Sequence, residues 1–600
     1  MTGAPQRRAR GAQLLPALAV GLILADSSIV TLGLPAILRE FDSSVSAVAW
    51  VLISFNLALA IAAVAGARLA HDRARAAFAT SMLLFAAACA ACALAPSLGV
   101  LIAARAAQGL SGAVAVAAAL ELLVLSCGRA RALSTWAAAG VLGAAVGPAV
   151  GGFLTEWLSW QAIFVLQVPV ALIALAAVTR GAAFAEPAPP VGERASLAPL
   201  IALALASAAL AAALFLLVIL LIEGWRQTPA VAALTVTVMP LAALATGAWA
   251  RRRRDLVSAV AGALLVAGGL AALALMPGAD PYWTLVPQLA IGIGLGLALA
   301  AMIAASVGKA TAIEGPAAWT IAARHAGIVA GLLLLTPIFT ADLDRVQGPA
   351  ERAGLARVLD APLSLPTKIA IARSLNAEIN ATRGRELPDI DAAFRGVEAD
   401  AGERAALSRL RTDLEDELDR GATKAFRRSF LAAALLALLA AGAAFAALAA
   451  ARGQRAGAPS SNGSTVSRLT VAVPAAAAAA ALLAAAYAAL GGAGFGPRAV
   501  ADPCLERARP AGVERTQLAA LATLDGAACE LGISRERLLR TLLESRRPAG
   551  VSEDELAAAF IAGVERAEQE EALGGFEAQA LKLGLRAGGV TGILGLLFAQ

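Results

Sequence analysis

The chain has 600 residues, 59% of them apolar and only 15% charged, with a mean hydropathy of +0.74. Soluble domains carry about 25% charged residues, which excludes a water-soluble globular protein as a description of most of this sequence. The net charge of +6 is spread in short basic clusters between apolar runs, as in the loops of a membrane protein, and no nucleic-acid-binding face is expected.

Arg7, Arg8 and Arg10 lead into the first apolar run, which is too long for a signal-peptide core, so this helix is expected to stay in place. Runs of this kind recur at 12–34, 47–66, 77–95, 98–124, 133–153 and 162–179. A Pro-rich stretch, Glu186 to Val191, interrupts the series. It resumes at 198–222, 229–250, 256–276, 283–307, 316–340, 428–451 and 469–491. Each run is long enough to cross a bilayer as a helix, which takes about 20 residues. The expectation is an all-α integral membrane protein with an amino-terminal six-helix bundle over 12–179 and a linker over 180–197. A second six-helix bundle is built from 198–340 and 428–451, and 469–491 adds a thirteenth helix.

Basic residues set the orientation. With the N-terminus in the cytoplasm, the inner loops hold Arg73 and Arg75, Arg129 and Arg131, Arg180 and Arg194, Arg251 to Arg254, Lys309, and Arg452, Arg455 and Arg468. The outer loops hold almost none apart from Arg39 and Arg226. This places 341–427 and 492–600 outside, as helical extracytoplasmic regions of a plasma-membrane protein and as possible surfaces for a protein partner. The run from Ala405 to Arg420 alternates acids and bases at helical spacing, and Ser534 and Ser552 are candidate helix caps. Cys504 and Cys529 fall in the second outer region, where an oxidising exterior lets them pair. Cys89, Cys92 and Cys127 lie in or beside membrane helices without a histidine cluster and read as small core residues, so no metal site is expected. The terminal run from Gly588 to Gln600 is apolar but too short to span. It is left open between docking on the membrane surface and covering its own domain.

The chemistry concentrates in the first bundle. An arginine inside an apolar helix is costly and is usually kept for an ion or substrate pathway. Arg105 is such a residue, with Gln108 and Gly109 following it. The next helix carries Gly143, Gly147, Pro148, Gly151 and Gly152, a bare face that a neighbouring backbone approaches closely on a helix bent by proline. Asp26 is a lone acid in the first span. In low dielectric it is suited to loading and releasing a proton. A second reading makes it a helix-end carboxyl, hydrated or bonded to Ser27 or Ser28. Arg105 is the natural partner for such a carboxylate or for the anionic end of a substrate, or else a structural residue bonded to backbone carbonyls. In the eleventh span Arg324 and His325 are further intramembrane polar residues. His325 is suited to titrating near neutrality or to hydrogen-bonded packing. Glu121 and Glu223 sit near helix ends and are expected to face water.

These residues carry a resemblance. Arg105, Gln108 and Gly109 resemble motif B of the major facilitator superfamily. The run Gly143, Gly147, Pro148, Gly151, Gly152 resembles motif C, its antiporter signature. The segment from Ala25 to Pro35 is similar to the first-helix motif of the drug:proton antiporters, with Asp26, Ile29, Val30, Leu34 and Pro35 matching. Trp160 to Pro169 and Ala323 to Gly331 resemble further family segments, with Gln161, Ala162 and Gln167 substituted in the former. Trp50 matches the family tryptophan, and Phe55 stands where a tyrosine is usual. One departure falls in the loop after the second helix, Ala67 to Arg75. There His71 takes the position of the gate aspartate and Asp72 that of the arginine, and the second glycine is lost.

The resemblance implies the superfamily fold of two six-helix bundles, here with one extra transmembrane helix, and proton-coupled antiport of a small organic or drug-like molecule. It implies proton transfer at Asp26 and Arg105, and a moving interface at the glycine helix with a gate at His71, Asp72 and Arg75. The driving force is then the proton gradient, with no cofactor. Twelve helices would enclose a central vestibule holding the acid and the guanidinium. A transporter-derived receptor or envelope-assembly protein acting through its outer regions is the reading from a different class. An ATP-driven pump is disfavoured because no phosphate-binding loop occurs, and an enzyme because no nucleophile–base or metal-ligand cluster appears in the loops.

Overall fold

The computed structural model describes residues 3–71, 73–176, 195–249, 255–307, 314–381, 390–397, 402–453, 462–505, 514–544 and 546–598. Asp72, the stretch from Glu186 to Val191, Arg251 to Arg254 and Lys309 lie outside them. The described residues are helical, without strands. In chain order the helices are α1 (Gly3–Glu40), α2 (Val45–His71), α3 (Ala74–Ala93), α4 (Leu98–Cys127), α5 (Arg129–Trp157) and α6 (Trp160–Leu175). The next five are α7 (Leu197–Ile219), α8 (Pro229–Trp249), α9 (Leu256–Ala274), α10 (Tyr282–Val307) and α11 (Glu314–Asp360). Then come α12 (Leu365–Ala381), α13 (Ile390–Phe394), α14 (Arg404–Gly453) and α15 (Asn462–Tyr487). The last four are α16 (Arg515–Glu530), α17 (Arg535–Leu543), α18 (Glu553–Gln569) and α19 (Gly575–Phe598). Twelve helices among the described residues are long and apolar enough to cross a membrane, and α6 is a shorter apolar helix.

The chain forms two compact units. The first comprises Met1–Leu343 and Ala425–Phe495, the second Asp344–Lys424 and Gly496–Gln600. In the first unit, lipid-facing leucines give no reason for helices to associate, so packing is set by small residues that bring backbones together. A Cβ at Gly143 would collide with the Gly21 carbonyl and one at Gly151 with the Ile29 carbonyl, which seats α5 directly on α1. The second half repeats this device: a Cβ at Gly327 would meet the Ala204 carbonyl and one at Gly331 the Ala208 carbonyl, so α11 lies on α7 as α5 lies on α1. The thirteenth apolar helix, α15, packs against α9 where Gly268 meets Ala480.

The second unit has two small helical cores. Leu355, Val358, Leu363, Ile371, Leu410 and Leu414 form one among the ends of α11 and α14 with α12 and α13. Ala527, Leu538, Leu556, Phe560, Val564 and Leu585 form the other among α16 to α19. A third cluster, Leu359, Leu521 and Leu539, bridges them. Arg535 is buried and answered by Asp360 at 2.8 Å, Glu536 at 2.9 Å and Asp525 at 3.7 Å, as a buried cation requires. Cys504 and Cys529 are joined in a disulfide. Ser534 and Ser552 cap α17 and α18, the latter through a full capping box with Glu555.

Candidate functional site

Asp26 and Arg105 meet in the interior of the amino-terminal helices. Both side chains are fully buried, with Arg105 Nη1 2.5 Å from Asp26 Oδ2. Arg105 Nη1 also donates to Gln108 Oε1 at 2.6 Å, and its Nε donates to the Val51 carbonyl of α2 at 3.0 Å. The second carboxylate oxygen, Asp26 Oδ1, accepts from Gln108 Nε2 at 3.1 Å and from Gln167 Nε2 of α6 at 3.0 Å. The guanidinium lies 4.3 Å from the centre of the Phe55 ring and 5.7 Å from that of Phe164, the arrangement in which a ring face stabilises a cation. Cys89 and Cys92 of α3 close the cluster through their thiols to Gln167 and Gln108.

The two readings of Arg105 therefore coincide: it pairs with a carboxylate and also bonds a backbone carbonyl. The vestibule is a different matter. Asp26 and Arg105 were expected to line a space between the two halves, and instead they are sealed among α1, α2, α3, α4 and α6. The reason is stoichiometric. An anion and a cation in contact, with two glutamine amides on Asp26 Oδ1, need little water, and the hydrogen bonds between them are electrostatically stronger where water is excluded.

Protonating Asp26 in this arrangement would cancel its charge and strand Arg105, whose Nη2 already lacks a partner. An uncompensated buried charge costs several kcal/mol, roughly 3–5.

From this cluster a polar path leads toward the second half. Ser27, next to Asp26, is bonded to Asn56 of α2, whose Nδ2 donates to Ser27 Oγ at 3.1 Å and to the Leu52 carbonyl at 2.8 Å. Asn56 Oδ1 lies 2.6 Å from His325 Nδ1 of α11. His325 is buried and its Nε2 has no hydrogen-bond partner. Arg324 lies half-buried beside it, outside the Asp26 cluster.

The glycine helix faces two ways. Gly143, Gly147 and Gly151 meet Gly21, Ser28 and Ile29 of α1, whereas Gly152 meets Pro229 and Ala233 of α8, in the other half. Pro148 lies inside α5, which continues through it. In the gate loop, His71 ends α2 and its Nδ1 is 3.5 Å from Glu121 Oε1 of α4. Arg75 is half-buried at the start of α3.

Glu121 does not face water as expected. It is 6% exposed, because α2 and the first turns of α11 close over it. Glu223 is half-buried, with Arg39 at 3.8 Å. Asn56 and Glu314 were not singled out from the sequence, and Gln167 was noted only as a substituted position. The available signal was the same for each: a strongly polar side chain in or at the edge of an apolar run.

Comparison with known proteins bears on the same residues. Residues 17–335 match the family model described as Major Facilitator Superfamily. The tetracenomycin C resistance and export protein of Streptomyces glaucescens is 33% identical over 184 residues, 29% of this chain and 34% of that protein. The drug efflux pump JefA of Mycobacterium tuberculosis is 30% identical over 170 residues, 27% of this chain and 34% of that one. The chain thus spans about a third of the length of these relatives. Among solved structures, a bacterial homologue of the human lysosomal transporter Spinster, inward-facing and unoccupied, superposes with a TM-score of 0.50 at 16% identity. That superposition covers 73% of this chain and 97% of the other, and it speaks to the fold alone.

Proposed function

Because the chain belongs to the Major Facilitator Superfamily, we propose that it is a secondary transporter that exports a small organic, drug-like compound in exchange for protons. The observation that carries this reading is the sealed Asp26–Arg105 pair with its two glutamine donors. A membrane anchor or passive scaffold gains nothing from a buried ion pair that a well-packed apolar cluster would replace at equal or lower cost. A proton-driven carrier needs a group whose charge state is tied to helix position. The names of the two relatives, an export protein and a drug efflux pump, favour export over uptake.

In this reading Asp26 takes up the proton and Arg105 is the cation released from it. The loosened α1 then slides on α5, whose glycine face permits close travel of one backbone over another, and Gly152 passes the motion to α8. Alternating access follows as a rocking of the two halves. The protein works as a carrier, not as an enzyme, with the proton gradient as its energy source and no resident cofactor. Its setting is the plasma membrane, with the N-terminus in the cytoplasm and residues 341–427 and 492–600 outside, the orientation that the basic loops favour.

The test is reconstitution of the full chain in proteoliposomes with a pH-sensitive dye inside. A panel of amphipathic drugs is then applied under an imposed proton gradient. Compound-dependent proton flux in the native protein that disappears in Asp26→Asn supports the reading. Absence of any compound-dependent flux across the panel, or flux unchanged in Asp26→Asn, refutes it.

A further inference from the structure

Roughly 24 Å along α4 from Arg105, sixteen residues at about 1.5 Å each, lies a second acidic locus that the mechanism above does not use. Glu121 of α4 and Glu314, the first residue of α11, line one crevice whose walls are otherwise apolar, Ala63, Ala117, Trp136 and Ile321 among them. Glu314 is 4% exposed, and neither of its carboxylate oxygens has a hydrogen-bond partner. Among the described residues, the charged groups facing the two acids come from α2 and α5. His71 Nδ1 is 3.5 Å from Glu121, and Arg129 Nε is 4.0 Å from Glu314 Oε1. Arg129 is 39% exposed at its side chain, so water screens its charge.

A buried carboxylate without hydrogen bonds is among the more costly groups a fold can hold, and here a second carboxylate shares the same low-dielectric space. Two like charges so placed cannot both be comfortably ionised. A proton is the smallest cation able to relieve the pair. Trp136 offers no donor, because its indole N–H is given to the Val116 carbonyl at 3.1 Å. We propose that Glu121 and Glu314 form a second proton-binding site, at the seam where α2, α4 and α5 of the first half meet α11 of the second. One proton from water adds to one carboxylate oxygen and makes it a neutral acid. The charge of the pair falls from two negatives to one, against His71 and Arg129. Since the two acids belong to different halves, proton binding favours their approach and proton loss drives them apart.

The experiment is infrared difference spectroscopy of the full chain in lipid nanodiscs after a step in pH, with Trp136 emission followed in parallel. Beside any band of Asp26, the native protein should show a titrating protonated-carboxyl component that is lost in Glu121→Gln and in Glu314→Gln but kept in Asp26→Asn. The pH-dependent emission change should be lost in Trp136→Phe and in both Gln variants. Thermal unfolding of each variant checks that it is folded. Should a Gln variant fail to fold, Glu121→Asp replaces it and should shift the component without abolishing it. The proposal is overturned if the native protein lacks the component, if the component survives unchanged in the glutamate variants, or if only Asp26→Asn removes it. Proton binding is read at equilibrium without substrate, so this result and the transport result stand or fall separately.

Discussion

Removing one member of the Asp26–Arg105 pair gives the sharpest test of the buried cluster. In Asp26→Asn the new amide oxygen still accepts from Gln108 and Gln167, so what is lost is the charge facing Arg105. Breaking a buried pair from one side costs roughly 3–5 kcal/mol, and the retained amide bonds put this variant near 3. Arg105→Ala also removes the bonds to Val51 and Gln108, each worth about 1–2 kcal/mol, and the contact with Phe55, worth about 2 kcal/mol when desolvated. It should therefore approach or exceed the upper figure. The double variant Asp26→Asn/Arg105→Ala leaves no charge behind, and it should be less destabilised than the sum of the singles by about 2 kcal/mol or more, the range seen for directly coupled residues. Unfolding followed by tryptophan emission in detergent micelles measures all three, with substrate-coupled proton flux measured on the same preparations. Coupling should be lost in every variant, including the double variant that recovers stability. The reasoning fails if the single variants lie within about 0.5 kcal/mol of native, or if the double variant equals the sum.

Gly143→Ala should separate α5 from α1, because its Cβ meets the Gly21 carbonyl, whereas Gly99→Ala meets nothing. Overpacking of this kind costs about 1–3 kcal/mol, so transport and unfolding temperature should fall in the first variant and not in the second. Breaking the Cys504–Cys529 bridge, which closes a separation of 25 residues, should cost the second unit about 3.5 kcal/mol by chain entropy, visible as faster proteolysis of Cys504→Ser/Cys529→Ser within 496–600. Burial raises Asp525 from 3.8 to about 6, with Arg535 opposing. The folded second unit thus binds more protons than the unfolded chain between these values, and this group's contribution to stability falls as pH rises from 3.8 to 6. Asp525→Asn should flatten that part of the profile in urea unfolding monitored between pH 3.5 and about 7, and an unchanged slope would argue against the assignment.

Much of the fold was legible without coordinates. Apolar runs of membrane length, the basic clusters between them and a glycine face every fourth residue act locally, so composition and spacing reveal them directly. The same cost argument that made Asp26 and Arg105 conspicuous, a charge in an apolar helix, could not say which way each helix is turned. The vestibule expected around them was thus wrong in place. Glu121 failed for a related reason: proximity to a helix end suggests water only if no other helix closes over that end, and the start of α11 does. Phe55 looked like a departure from a tyrosine pattern, yet its ring face under the guanidinium needs no hydroxyl.

What the sequence by itself determined was the all-helical membrane architecture and the family, because both are written in periodicity and in short motifs confined to single helices. Which acid faces which base was decided only by tertiary structure. Asp26 is separated from Gln167 by 141 positions and Asn56 from His325 by 269. Contacts over such distances depend on the rotation and depth of whole helices, and those are fixed by the summed packing of small residues along every interface, which no single stretch of chain encodes.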